Sequence, residues 1–137
     1  MNFMILLKAT ADSEAGRMPE RELIESMIAF NEKLADAGVL VAAEGLHASS
    51  KGTRLRFDKG RTTVVDGPFA ETKELIAAFW IVQGKSRQEV VERFTHMPFK
   101  GGESIEIRQV IGPEDFGDAL SPEQRERTER VTLPDPS

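Results

Sequence analysis

The stretch Leu23-Ile24-Glu25-Ser26-Met27-Ile28-Ala29-Phe30-Asn31-Glu32-Lys33-Leu34-Ala35-Asp36-Ala37-Gly38-Val39-Leu40-Val41-Ala42-Ala43 decides the fold. Leu23, Met27, Phe30 and Leu34 recur at helical spacing, and Ile24 and Ile28 widen the apolar stripe. Gly38 supplies the stop, because glycine takes the left-handed conformation that closes a helix. Val39 to Ala43 follows at once as a buried strand. Upstream, Pro19 suits a first helical turn, and Glu20 and Glu22 suit its positive end. Residues 9–18 are small and polar and read as a loop; residues 2–8 are short and apolar and read as a first strand.

Downstream, Gly45 to Gly52 reads as an irregular connection. Thr53-Arg54-Leu55-Arg56-Phe57 alternates with period two, which predicts a strand with one wet face. Asp58-Lys59-Gly60 is a hairpin turn, and Arg61 to Val65 pairs back. Leu75 to Val82 is a further strand, on which Phe79 and Trp80 point to opposite faces; one belongs to the core and the other lines a subunit seam or a pocket. Ser86-Arg87-Gln88-Glu89 matches a capping box and opens a helix through Val90, Val91, Phe94 and Met97 that Pro98 ends. Ser104 to Ile111 alternates as a half-buried last strand. The order β-α-β-(hairpin)-β-α-β predicts an α+β fold, ferredoxin-like, with an antiparallel sheet and both helices on one face. The other face is left apolar, and a second copy is the commonest way to cover it.

Composition narrows the function classes. The 137 residues fit one domain, divided here into a folded unit over 1–112 and an acidic extension over 113–137. The extension holds seven acidic residues against three arginines, most of the formal net charge of −5. Ser121-Pro122-Glu123-Gln124 starts a helix there, either solvated or lying as an arm on a partner chain. Neither part is basic enough to follow a phosphate backbone, so nucleic acid is not expected as a partner. No apolar run reaches the roughly 20 residues of a bilayer span, and residues 1–8 lack a signal peptide's basic start. A cytoplasmic protein is expected. With no cysteine there is no disulfide and no thiolate ligand.

The most distinctive segment is Asp66-Gly67-Pro68-Phe69-Ala70-Glu71-Thr72-Lys73-Glu74, with three glutamate or aspartate carboxylates beyond the turn's start or within it, a lysine and a threonine directly after a strand. With Met4-Ile5-Leu6-Leu7, Ala37-Gly38-Val39-Leu40, Glu44-Gly45-Leu46-His47 and Glu106-Ile107-Arg108, it resembles the YCII-related, or DGPF, family over about residues 1–111. The resemblance implies a dimeric α+β barrel, two ferredoxin-like units with their sheets facing, and a small cleft on each subunit. It also implies an adaptor role as an alternative, since such proteins are often encoded beside alternative sigma factors. Members of the YCII type are proposed to use a histidine near the first helix paired with an aspartate. Here that region reads Arg17-Met18-Pro19-Glu20-Arg21-Glu22, so that pair is not carried over.

The residues themselves suggest another pair. His47 and Asp66 flank the segment 53–65, which folds back on itself, so both fall near one end of the sheet. An imidazole beside a carboxylate is a serviceable general acid/base. Lys73, Glu71 and Arg54 (or Arg56) are candidates for holding a small polar or anionic substrate. Plainer readings stand beside these. Asp66-Gly67-Pro68 is a strong turn signal, Glu71 to Glu74 is a helical turn or solvated loop, and His47 in a polar loop faces solvent. His96, late in its helix, complements the helix dipole. There is no phosphate loop, no serine elbow and no helical histidine pair for zinc. The expectation is a homodimer that binds a small metabolite without metal or cofactor.

Overall fold

A computed structural model describes residues 1–135 of the chain. Strand β1 (Asn2–Lys8) leads into a single-turn helix α1 (Ala11–Glu14) and the long helix α2 (Arg21–Asp36). Strand β2 (Leu40–Gly45) follows, then the hairpin β3 (Thr53–Asp58) and β4 (Arg61–Asp66), then β5 (Ile76–Gln83), helix α3 (Arg87–Phe94) and β6 (Ile105–Gln109). Helix α4 (Pro122–Glu129) lies in the tail. The main sheet has the order β2-β5-β1-β6, and β3-β4 forms a separate two-stranded sheet. Every strand pair is antiparallel. This is the ferredoxin-like arrangement, with a hairpin inserted between its second and third sheet strands.

Period-two alternation decides what each face carries. In β1 and β5, Phe3 pairs with Val82 and Ile5 with Trp80, and all four turn to the same side. There they meet Phe30 and Leu34 of α2 and Val90 and Phe94 of α3 in one buried cluster. Both helices therefore cover one face. The Phe94 ring meets Phe30 at 5.3 Å and Trp80 at 5.9 Å, each edge-on, contacts worth about 0.5–1.5 kcal/mol apiece beyond area burial. The one polar atom of Trp80 is not wasted: its Nε1–H donates to Asn31 Oδ1 at 2.8 Å. The opposite face presents Met4 beside Ile81 and Leu6 beside Phe79, all only half-buried.

Local chemistry accounts for the boundaries and for several departures from expectation. The segment 9–18 is not all loop. Thr10 and Ser13 form a reciprocal cap that starts α1. Ser86 Oγ accepts from Glu89 N–H at 3.1 Å as expected, but Glu89 reaches past it to the Lys85 N–H at 2.7 Å. Strand β2 is not fully buried, because it forms the sheet edge and bulges between Leu40 and Ala42, which leaves Val41 exposed. At the tip of the hairpin, Lys59 and Gly60 both take positive φ, the geometry of the turn that matches strand twist. The hairpin has no dry face: Leu55, Phe57 and Val64 are 55%, 77% and 63% exposed. The tail returns to the start of the chain, where the Met1 ammonium meets Asp135 at 3.0 Å and Asn2 Nδ2 donates to the Pro134 carbonyl.

Candidate functional site

The segment Asp66 to Glu74 is held against the turn Ser49–Lys51. Gly67 donates its N–H to the Gly52 carbonyl at 2.9 Å, and an added Cβ at Gly67 would overlap the Ser49 carbonyl oxygen. Only glycine allows that approach. Phe69 N–H donates to Ser49 Oγ at 3.0 Å, while Ser49 itself donates both its N–H and its hydroxyl to the Glu14 carboxylate. Ser49 thus ties α1, the turn and the motif into one unit. The Gly67–Pro68 peptide is cis.

That unit forms one wall of a cleft of about 270 Å³. Arg54 of β3 lays its guanidinium over the Phe69 ring, 3.8 Å from the centroid. Stacking fixes the guanidinium plane and leaves its N–H edges able to grip a carboxylate in two parallel bonds. His47 and Leu46 face it from the connection after β2, and Leu75 and Ile76 add apolar surface. Glu14, Ser49 and Glu74 complete the lining. The carboxyl of Glu74 holds its proton above the ordinary glutamate range because Glu71 hydrogen-bonds to it and repels its charged form, with desolvation adding to the rise. Arg54 and Lys8 pull the other way. The site therefore carries an imidazole, a guanidinium laid over a phenyl ring and a glutamate whose carboxyl is raised by a neighbouring glutamate.

Of the residues singled out in the sequence, His47 and Arg54 come together in this cleft. Asp66 does not line it. Its Oδ1 accepts from Thr53 Oγ1 at 3.0 Å, and among the described residues no hydrogen bond or ion pair joins His47 to Asp66. The reason is parity: Thr53 pairs with Asp66 and Arg54 with Val65, so Asp66 and Arg54 occupy opposite faces of the hairpin. Glu71 does not itself line the cleft but acts on Glu74, which does. Lys73 is exposed on the turn Thr72–Glu74, and Arg56 is exposed farther along the Arg54 face. Sequence reasoning missed Glu14 and Ser49. The Thr10/Ser13 cap was the available signal for the first; the second depends on a contact 35 residues distant.

Two larger hollows, of about 530 and 570 Å³, lie against α4 in the tail. Their linings hold arginine, carboxylate and threonine side chains but no histidine, and a hollow of about 210 Å³ beside α2 and α3 holds His96 with Lys33 and Arg93 but no carboxylate. Among the described residues there is no cluster of three or more metal-ligating side chains, and no helix is long and apolar enough to cross a membrane.

An uncharacterized protein of Rhizobium meliloti (strain 1021) is 32% identical over 73 residues, which is 53% of this chain and 59% of that protein; the match thus spans little more than half the relative's length. A solved structure, the 5-chloro-2-hydroxyhydroquinone dehydrochlorinase of Burkholderia phenoliruptrix AC1100 in complex with 2,5-dihydroxybenzoquinone, is 19% identical, with 82% of this chain and 96% of that chain covered at a TM-score of 0.41. The profile of the YCII-related domain matches residues 1–114, most of the chain and all of both sheets, and the protein belongs to the YCII-related domain family.

Proposed function

We propose that the chain works as a homodimer in which each subunit's cleft binds a small polar or anionic metabolite, with His47 as the group that exchanges protons with it. The observation that carries this reading is the Arg54 guanidinium stacked on Phe69 at a cleft that also holds His47. Arg54 orients the anion. An imidazole changes charge near neutrality and can take or give a proton. Glu74, whose carboxyl Glu71 holds above the ordinary glutamate range, can donate a hydrogen bond when protonated. Asp66 serves by fixing the base of the hairpin through Thr53, which sets where Arg54 stands. The half-buried Met4, Leu6, Phe79 and Ile81 and the bare hairpin support self-association, because a lone two-stranded hairpin is marginal in water.

The test uses the full chain and small carboxylates as probes. Benzoate, succinate and acetate are titrated into wild type and Arg54→Ala while the NMR signals of His47 and the Phe69 amide are followed. Saturable shifts in wild type that weaken at least about tenfold in the variant support the reading, as expected for loss of a charge-assisted contact. Shifts that are absent, or that persist unchanged without Arg54, overturn it. An adaptor for an alternative sigma factor, the other role implied by the family resemblance, would leave these titrations flat.

A further inference from the structure

Charge in this chain is polarised along the strands. Residues 51–66 carry Lys51, Arg54, Arg56, Lys59 and Arg61 against Asp58 and Asp66, whereas residues 113–137 carry seven acidic residues against three arginines. The fold puts these segments at opposite ends of the main sheet. The hairpin departs after Gly45 and returns before Ile76, the end of the sheet where Lys8 pairs with Ile76. The tail departs after Gln109 and returns to Met1 and Asn2, the end where Asn2 pairs with Gln83. Strand β1 spans seven residues between them, about 20 Å at the rise of an extended chain. That is roughly twice the Debye length at 0.1 M salt, so the two segments of one chain do not neutralise each other.

Four of these charges are without an ion-pair partner among the described residues: Arg56 and Arg61, exposed on the hairpin, and Glu123 and Glu129, exposed on α4. Phe116 and Val131 are exposed in the tail, and Leu55, Phe57 and Val64 are exposed on the hairpin face opposite Arg56 and Arg61. A twofold axis running across the strands reverses their direction, so it sets the hairpin end of each copy beside the tail end of the other, and it does so twice. We propose that the acidic C-terminal segment of one copy docks on the basic hairpin of a second copy. The inference rests on the homodimer proposed above and goes beyond it by assigning the contact. It gives the extension over 113–137 a role as a reciprocal arm, and it places the partner's carboxylates next to the hairpin that carries Arg54.

Sedimentation of the full-length chain, with two charge-reversed variants, tests this. One carries Arg56→Glu with Arg61→Glu; the other carries Glu123→Lys with Glu129→Lys. Each alone is expected to weaken the dimer by about tenfold or more at low salt, since several exposed pairs turn repulsive at once. An equimolar mixture is expected to restore wild-type affinity as a heterodimer, because each reversed hairpin then meets a reversed tail. A dimer whose affinity ignores both reversals, or is weakened by both without recovery on mixing, overturns the docking while leaving the homodimer standing. A wild-type chain that stays monomeric overturns both.

Discussion

Phe3 and Phe57 are the same side chain in two strands of one molecule, and they meet opposite fates: Phe3 is wholly buried and Phe57 is 77% exposed. Both stand in strands that alternate apolar and polar residues or run apolar throughout. The difference lies in what is laid against them. Helices α2 and α3 fold back over the Phe3 face, whereas among the described residues β3 pairs with β4 alone and Phe57 lies outside the cluster that the helices join. Alternation thus shows which side chains need cover, and the chain supplies that cover for the main sheet but not for the hairpin. The missing cover for Leu55, Phe57, Val64 and the Met4 side of the sheet is the physical basis of the proposed homodimer.

The comparison can be broken most severely in the covered region. Phe94→Ala removes a ring that meets both Phe30 and Trp80 and is expected to lower unfolding free energy by about 3–5 kcal/mol, read by denaturant titration, at any protein concentration. Phe57→Ala is expected to have an effect that grows with protein concentration, because burial of that ring requires the partner. Equal, concentration-independent losses at the two positions would show that the hairpin finds its cover within one chain.

A middle-sized effect is expected where the hairpin is fastened. Ser49→Ala removes the acceptor of Phe69 N–H and the hydroxyl bound to Glu14, and a loss of about 1–3 kcal/mol is expected for part-buried groups left unpaired. Amide hydrogen exchange should rise at Phe69 and Gly67 and leave Phe3 protected. Uniform loss of protection across both sheets would mean that hairpin and sheet unfold as one.

The smallest effect concerns charge. Glu71→Gln alters the Glu71 hydrogen bond that chiefly raises Glu74 and removes the charge repulsion that adds to it, so the Glu74 titration, followed by carbon-detected NMR, should move down toward the ordinary range. The sign follows from linkage. A carboxyl whose folded pKa is raised favours the folded state at low pH and loses that contribution as pH rises through the folded value. Wild type should therefore lose stability relative to Glu71→Gln as pH rises from the ordinary glutamate range through the raised Glu74 titration. A Glu74 titration indifferent to residue 71 would place the cause elsewhere.

Much of the architecture was legible because its elements are periodic. The stripe Leu23, Met27, Phe30 and Leu34 marks α2, the alternation in 53–57 marks β3, and Gly38 and Pro98 lie close to where elements stop. Helix α1 was not legible, since a single turn offers no periodicity and only the Thr10/Ser13 cap betrays it. The exposure of Val41 depends on β2 lying at the sheet edge, which strand order alone reveals. His47 and Arg54 were recognisable as chemistry-bearing residues at one end of the sheet. Asp66 is instructive: the fold-back of segment 53–65, which it and His47 flank, suggests a partner for His47, while counting parity along 53–66 puts Asp66 on the hairpin face opposite Arg54. Ser49 was hidden for a different reason. It is a plain serine in a polar loop, and its importance comes from meeting Glu14 and Phe69, which sequence spacing does not express.

Sedimentation equilibrium of the wild-type chain over a wide concentration range tests the central claim most directly. The expected result is a species of twice the 15.2 kDa chain mass that dissociates on dilution and whose assembly removes the Leu55, Phe57 and Val64 side chains from solvent. A single 15.2 kDa species at every concentration, with those side chains still accessible, would contradict it.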